Sequence, residues 1–313
     1  MVLILTVTLN PSLDKWYPIN EFEKGKAFMA KDVIYTPGGS GLNVAKVIKS
    51  FNEPVMAAGF SGGRNGEYIE EMLDNRGIDY SFISINEETR NFIAIISADE
   101  SRTEISEIGP SISGEEVVEF YELYKDIIGT AEIICISGNL PRGLPSDTYR
   151  NLIIMAKEQN KKVFFDANGE ALRYGIEASP FLVKQNRGEL EELMGFLMAS
   201  EEDIERSARY IMENGVELVI VSLGSAGSMF FYDGYSYNVK VPNIKAINAA
   251  GSGDAMLAGF AVSLLRDYDF EYQLKVAAAC GTANAMEIEA GKVDMANMKM
   301  IMNQIEIEKK KMY

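Results

Sequence analysis

The stretch Asn248-Ala249-Ala250-Gly251-Ser252-Gly253-Asp254 runs straight into the apolar segment Ala255-Met256-Leu257-Ala258-Gly259-Phe260. A glycine-rich turn that opens a helix has the parts for phosphate chemistry. Gly251 and Gly253 allow a tight turn and leave the main chain open to a bulky anion. The amides that follow are the unpaired donors of a helix N-terminus, which suit a phosphate. Asp254 falls in the first turn, where a carboxylate is favourably placed. From there it could take a proton from an alcohol attacking a phosphate held by those amides. Taken alone, the same residues equally describe a capped loop, so the rest of the chain has to decide.

The totals narrow the chemistry. The 313 residues are 47% hydrophobic and 24% charged, with 46 acidic against 30 basic residues and a net charge of −16. Such a chain is a poor partner for nucleic acid or an anionic membrane. Handling phosphate then calls for local Lys or Arg, backbone amides or Mg²⁺. There is no histidine, which excludes a histidine base, a Ser-His-Asp triad and histidine metal sites. The base must be a carboxylate, Lys, Tyr or Cys. Cys135 and Cys280 lie in apolar or Ala-rich runs and read as buried thiols, with no CxxC and no disulfide framework. The apolar start Met1 to Val7 is short, lacks a basic leader and breaks at Asn10-Pro11. It reads as a first strand and not as a signal peptide. No apolar run is long enough to span a bilayer, and a reducing cytoplasm is the expected location.

The elements that must position these residues follow an alternating rhythm. Val2 to Thr8, Val55 to Gly59, Ile133 to Ser137, Lys162 to Asp166, Phe181 to Lys184 and Leu218 to Ser222 read as strands. Between most of them lie helical patterns, including Val44 to Phe51, Gly66 to Asn75, Glu115 to Ile128, Asp147 to Gln159, Gly188 to Leu197 and Glu201 to Asn214. Asp233-Gly234 turns a hairpin between Ser228 to Tyr232 and Tyr235 to Val241. The final third is helical, over Asp254 to Arg266, Phe270 to Glu287 and Met295 to about Glu306. This predicts an α/β fold with a doubly wound, mostly parallel sheet. Ser12 to Asn20, Phe28 to Thr36, and a hairpin of Asn91 to Ala98 and Arg102 to Ile108 around Asp99-Glu100 break the rhythm. They predict a small separate sheet inserted from about residues 10–37 and 86–109, set as a lid over the ligand site. Residues 1–313 otherwise read as one domain, and Lys309-Lys310-Lys311 as a frayed, solvated end.

Several segments, in order, resemble the ribokinase-like (PfkB) sugar kinases. Thr8-Leu9-Asn10-Pro11-Ser12-Leu13-Asp14 is similar to that family's N-terminal substrate motif. Pro37-Gly38-Gly39-Ser40-Gly41-Leu42-Asn43-Val44-Ala45 resembles its first signature, and Lys184-Gln185-Asn186-Arg187-Gly188-Glu189-Leu190 its KPNxxEL stretch. Val221-Ser222-Leu223-Gly224-Ser225-Ala226-Gly227 resembles its nucleotide-side loop, and Gly251-Ser252-Gly253-Asp254 falls on its second signature. Within the family, Glu88-Thr89-Arg90-Asn91, the stretch Thr103 to Pro110 and the stretch Gly291 to Asn297 most resemble the tagatose-6-phosphate kinase and 1-phosphofructokinase branch, the former more closely. The resemblance implies a three-layer α/β/α fold whose β lid often pairs chains into a homodimer. It also implies transfer of the γ-phosphoryl of ATP, with Mg²⁺, to a hydroxyl of a ketohexose phosphate.

The resemblance also assigns roles. Asp254 is the catalytic base, and Gly251, Ser252 and Gly253 give amides to the transferring phosphate. Asp14, Gly38, Gly39 and Asn43 fall on sugar-binding positions, Arg90 on the arginine for the substrate's own phosphate, and Ser137 on a turn that touches sugar. Lys26 aligns loosely with a basic position that some members use. Lys184, Asn186, Ser222, Gly224 and Gly227 match ATP contacts, and Asn284 a position near adenine. Asp166 and Glu189 match acidic positions that act on Mg²⁺. Three departures stand out: Ser40 where the branch carries Lys, Gln185 in place of Pro, and Ala255 where Ser is usual. The first removes a positive charge expected at the substrate-phosphate end. A ligand-binding regulator that kept the fold and lost turnover is the alternative of a different class.

Overall fold

The apolar run at the start of the chain forms β1 (Leu3–Thr8), buried along its whole length, as a strand covered on both faces must be. The computed structural model describes residues 3–97 and 101–312. In chain order β1 is followed by β2 (Ser12–Ile19), β3 (Ile34–Gly38), α1 (Ser40–Ser50), β4 (Val55–Ser61), α2 (Gly63–Arg76), β5 (Asp79–Ser84), β6 (Arg90–Ser97), β7 (Arg102–Ser106) and α3 (Gly114–Ile127). Then come β8 (Ala131–Ser137), α4 (Thr148–Glu158), β9 (Lys162–Asp166), α5 (Gly169–Glu177), β10 (Leu182–Asn186), α6 (Arg187–Met194) and α7 (Glu201–Glu213). The last part holds β11 (Leu218–Ser222), β12 (Ser228–Tyr232), β13 (Tyr235–Lys240), α8 (Ser252–Leu265), α9 (Phe270–Asn284), α10 (Met295–Met302) and β14 (Glu306–Lys311).

Ten strands form one sheet in the order β14-β13-β12-β11-β10-β9-β8-β1-β4-β5. From β11 to β5 every pairing is parallel, and β12 to β14 add an antiparallel edge. The core splits into two clusters, one on each face. One joins α1, α8 and α9 to the sheet, and the other joins α3, α4 and α7. This is the three-layer, ribokinase-like α/β/α architecture with a mostly parallel sheet. Helix α8 is buried on all sides from Asp254 to Ser263. It runs so close to α9 that a Cβ on Gly259 would come within 2.8 Å of Cys280 Sγ.

The second sheet has four strands in the order β3-β2-β6-β7. Its inner face buries Trp16 against Phe92, with ring centroids 5.7 Å apart. Together with Ala94 they pack on Ala250, Ile288 and Ala290, so the lid rests on the loops around the glycine turn. The turn expected around Asp99-Glu100 lies outside the described residues.

Some expectations fall. The strand expected over Phe28 to Thr36 begins only at Ile34, because residues 20–33 are mostly exposed and have no apolar face to bury. Lys309 to Lys311 do not fray. They lie in β14, hydrogen-bonded to β13, and Lys309 Nζ sits 4.0 Å from the Tyr235 ring centroid. Strand β5 and helix α5 were also absent from the sequence reading. The first is a half-exposed strand of six residues and the second a helix of nine.

Candidate active site

The parallel strands end on one side, and their C-terminal ends carry Thr8, Ser137, Asp166, Asn186 and Ser222. Ligands of such sheets bind there. Two helices also begin there, α1 after Gly39 and α8 after Gly251. Both capping glycines have positive φ, at 100° and 77°, a left-handed conformation that glycine adopts without strain. The Ser252 amide donates back to the Ala249 carbonyl at 3.2 Å. The amides of Gly251, Gly253 and Asp254 find no acceptor among the described residues, so the open donors are shifted slightly from the expected trio.

Asp254 is buried, and its Oδ2 accepts a hydrogen bond from Asn43 Nδ2 at 2.8 Å. Burial pushes its carboxyl up to about 7, with Asp166 adding to the rise and Lys184, Asn43 and Lys46 opposing it. A carboxylate with its midpoint near neutrality is suited to general-base work. Lys184 Nζ donates to Asp166 Oδ2 at 2.8 Å, both side chains being buried. Its ammonium lies against the glycine turn, for a Cβ on Gly253 would stand 2.5 Å from Nζ. The charge on Lys184 is held above its usual range, since Asp166 and Glu189 outweigh burial.

Two cavities meet at Lys184 and Gly253. A polar cleft of about 180 Å³ is walled by Ser40, Gly138, Asn139, Asp166, Glu189 and Asp254, among others. A larger one of about 390 Å³ runs along Asn186, Ser222, Gly224 and Gly227 to an apolar end at Val241, Ile244, Met256 and Ala285. The second has the form of a nucleotide slot, polar at one end and apolar at the other. Asn284 does not line it. Its amide is fully buried, donating to the Ala250 carbonyl at 2.7 Å and accepting from the Gly291 amide at 2.8 Å. The residue expected near adenine is therefore a brace for the glycine turn, and Gly281, Thr282 and Ala285 form the wall instead.

On the lid side, Asp14 of β2 is buried and accepts from Ser12 Oγ at 2.6 Å. Burial raises its carboxyl to about 6, against the pull of Ser12, Lys46 and Arg90. Gly38 faces it so closely that a Cβ there would lie 1.9 Å from Asp14 Oδ1. Arg90, at the start of β6, donates through Nε to the Asn10 carbonyl at 3.3 Å and through Nη1 to Ser106 Oγ at 2.8 Å. Asn43 Oδ1 and Ser137 Oγ are buried without a partner among the described residues. Lys26 is exposed and ion-paired with Glu23. Ser40 lines the cleft beside Asp254 and Asp166.

Asp166 is ion-paired with Lys184, whose charge also acts on Glu189. Glu189 caps α6, its Oε2 accepting from the Asn186 amide at 2.8 Å. Burial and Asp166 nonetheless hold its carboxyl above its usual range. This surplus of negative charge fits a divalent cation. Among the described residues no three acidic side chains gather closely enough to hold a metal alone.

The sequence reading missed several residues here. Buried Lys46 and half-buried Glu289 and Arg76 form an ion network behind Asp14 and Asn43. Arg102 of β7 donates to Asn248 Oδ1, tying the lid to the glycine turn. The one available signal was a lysine amid the apolar run of α1.

The fold and these cavities define a kinase of the ribokinase-like class. The model of the pfkB family carbohydrate kinases matches residues 8–294, and the chain belongs to that family. It is therefore a sugar kinase, and kinases of this family use ATP. A Staphylococcus aureus protein assigned as a phosphofructokinase is 29% identical, with a TM-score of 0.84 over 99% of this chain and 100% of that one. Phosphofructokinase-2 from Escherichia coli, solved with potassium, is 25% identical, with a TM-score of 0.90 over 97% and 99%. The fold extends to Arabidopsis thaliana ribokinase, solved with ribose and ATP, at 23% identity and a TM-score of 0.76 over 96% and 99%. Among the described residues no helix is long and apolar enough to cross a membrane.

Proposed function

We propose that the chain transfers the γ-phosphoryl of ATP to a hydroxyl of a ketohexose phosphate, with tagatose 6-phosphate going to tagatose 1,6-bisphosphate as the first reading. The observation that carries it is the position of Asp254 where the polar cleft meets the nucleotide slot, beside Lys184 and bonded to Asn43. Asp14, Asn43, Gly38, Gly39 and Ser137 hold the sugar, and Arg90 grips its phosphate with two parallel bonds. Asp254 accepts the hydroxyl proton as the oxygen attacks the γ-phosphorus. The open amides of the Gly251 turn and Lys184 receive the charge that develops on the transferring oxygens. Asn186, Ser222, Gly224 and Gly227 seat the nucleotide. Asp166 and Glu189 would hold Mg²⁺, which neutralises the charge of the phosphates when bound. Residues 1–313 act as one domain, and the lid strands are the surface through which two chains would pair.

A fructose phosphate acceptor is the second reading, with fructose 1-phosphate going to fructose 1,6-bisphosphate. The phosphofructokinase names of the relatives favour a fructose phosphate as the acceptor. The test is ADP release with tagatose 6-phosphate, fructose 1-phosphate, fructose 6-phosphate, ribose and adenosine. The first reading expects the highest kcat/KM for tagatose 6-phosphate. A higher value for fructose 1-phosphate selects the second, and tight ATP binding with no turnover on any acceptor points to a regulator.

A further inference from the structure

Ser12 and Asp14 lie two residues apart in β2 and so share one face of the lid. Both are buried, and Ser12 Oγ donates to Asp14 Oδ1 at 2.6 Å. Oδ2 accepts no hydrogen bond from a described side chain. The neighbouring strands confine the carboxyl further. Ser12 pairs with Gly38 and Arg90, and Asp14 with Thr36 and Phe92. A Cβ on Gly38 would lie 1.9 Å from Oδ1 and 2.3 Å from Oδ2, so glycine alone leaves room there. The other polar neighbours are bonded elsewhere. Thr36 Oγ1 donates to Glu289 Oε1 at 2.6 Å. Lys46 Nζ donates to the Ala290 carbonyl at 2.6 Å and to Thr36 Oγ1 at 3.0 Å. Arg90 Nε and Nη1 donate to the Asn10 carbonyl and to Ser106 Oγ.

We propose that Ser12 is a positioning residue for the acceptor sugar: its hydroxyl anchors Oδ1 of Asp14 beside Gly38 and leaves Oδ2 to accept from a sugar hydroxyl. A serine hydroxyl has one proton to donate, and here the carboxyl receives it. A carboxylate buried this way is not kept charged by water. The charged groups acting on it are Lys46 of α1, Arg90 of β6 and Glu289 of the loop after α9. None of the three bonds to it among the described residues, and Glu289 opposes ionisation. Ser12 is the described side chain that reaches the carboxyl directly. Its hydrogen bond is stronger to the ionised acceptor than to the neutral one. One contact thus fixes the orientation of Asp14 and favours the form that accepts from the sugar.

The inference rests on Asp14 being the sugar carboxylate. The test is calorimetric titration of the full chain with tagatose 6-phosphate and with fructose 6-phosphate, without nucleotide, from pH 5 to 8.5. In the wild type, affinity falls as pH drops through about 6, where Asp14 takes up a proton. Ser12→Ala removes one oxygen and the donor with it. Its fall should come roughly one pH unit higher, the worth of a charge-assisted hydrogen bond, so its loss at pH 6 exceeds its loss at pH 8 about fivefold. The sugar's phosphate and Asp254 titrate in both proteins, so the ratio of the two affinity curves cancels them. Ser12→Thr keeps the hydroxyl and should hold the wild-type midpoint. A Ser12→Ala loss that is equal at every pH shows a merely structural role and overturns the proposal. A midpoint that rises as much in Ser12→Thr overturns it too, because the hydroxyl is then not the cause. If Ser12→Ala does not fold, Ser12→Cys, with its weak S–H donor, decides, and an unmoved midpoint there overturns it equally. Asp14→Asn separates the premise. Unchanged binding there sinks the sugar role of Asp14, whereas weakened binding beside an unmoved Ser12→Ala midpoint sinks only the role of Ser12.

Discussion

Asp254 is a buried acid at a helix N-terminus, and both facts shape its expected behaviour. Removing a general base costs about 10²–10⁴-fold in rate. Asp254→Asn should therefore reduce kcat in that range, with ATP affinity, measured by equilibrium binding, nearly unchanged. Retained turnover would mean that another group takes the proton. The wild-type kcat should fall as pH drops through about 7, because only the ionised carboxylate accepts a proton. Stability carries the opposite sign. The folded carboxyl binds its proton more tightly than the unfolded one, so stability is fully present below about pH 4 and is lost as pH rises through about 7. Asp254→Asn should accordingly raise Tm at pH 8 and leave it nearly unchanged at pH 4, as thermal melts at the two pH values will show. Arg90→Ala should raise KM for a phosphorylated sugar roughly 10–100-fold, the worth of charge-assisted hydrogen bonds. An equal rise in KM for ATP, from steady-state kinetics, would remove its phosphate role.

At the scale of elements, glycines at and beside the two helix starts let neighbouring groups come close. The carboxylate of Asp14 occupies the space where a Gly38 side chain would be. Gly38→Ala should raise KM for the sugar at least about tenfold while KM for ATP moves little, because the added methyl displaces Asp14, which is proposed to bond the acceptor alone. Much at this scale was legible in the residues themselves. The alternation of apolar runs with helical periods gave the parallel sheet, and the Asn-Pro and glycine motifs marked the strand ends where the site lies. What stayed hidden has physical causes. Asn284 reads from sequence as any helix-surface amide, and only the packing of α9 against Ala250 and Gly291 shows it spent as a brace. Lys46, Glu289 and Arg76 are far apart in the chain, so no spacing pattern joins them.

At the scale of the whole molecule, β14 closes the antiparallel edge of the large sheet. A run of lysines at an edge discourages pairing with another chain. Here Lys309 also covers the faces of Tyr235 and Tyr237. Deleting residues 306–313 uncovers β13, where Tyr237 and Val239 are buried. The truncated chain should melt at lower temperature and self-associate, as light scattering against concentration will report. Unchanged Tm and a monodisperse profile would show that β14 is dispensable.

The separation of the two sheets has a consequence for how such a molecule changes over generations. Asp14 and Arg90 belong to the lid sheet, whereas Asp254, Lys184 and Asp166 belong to the large sheet and the helix packed on it. Among the described residues the two sheets share no ladder hydrogen bonds, so substitutions in one leave the backbone register of the other intact. A lineage can thus retune its acceptor by trial in the lid while phosphoryl transfer is inherited unchanged. Divergence in substrate, with a fixed reaction, is the history this architecture permits most readily.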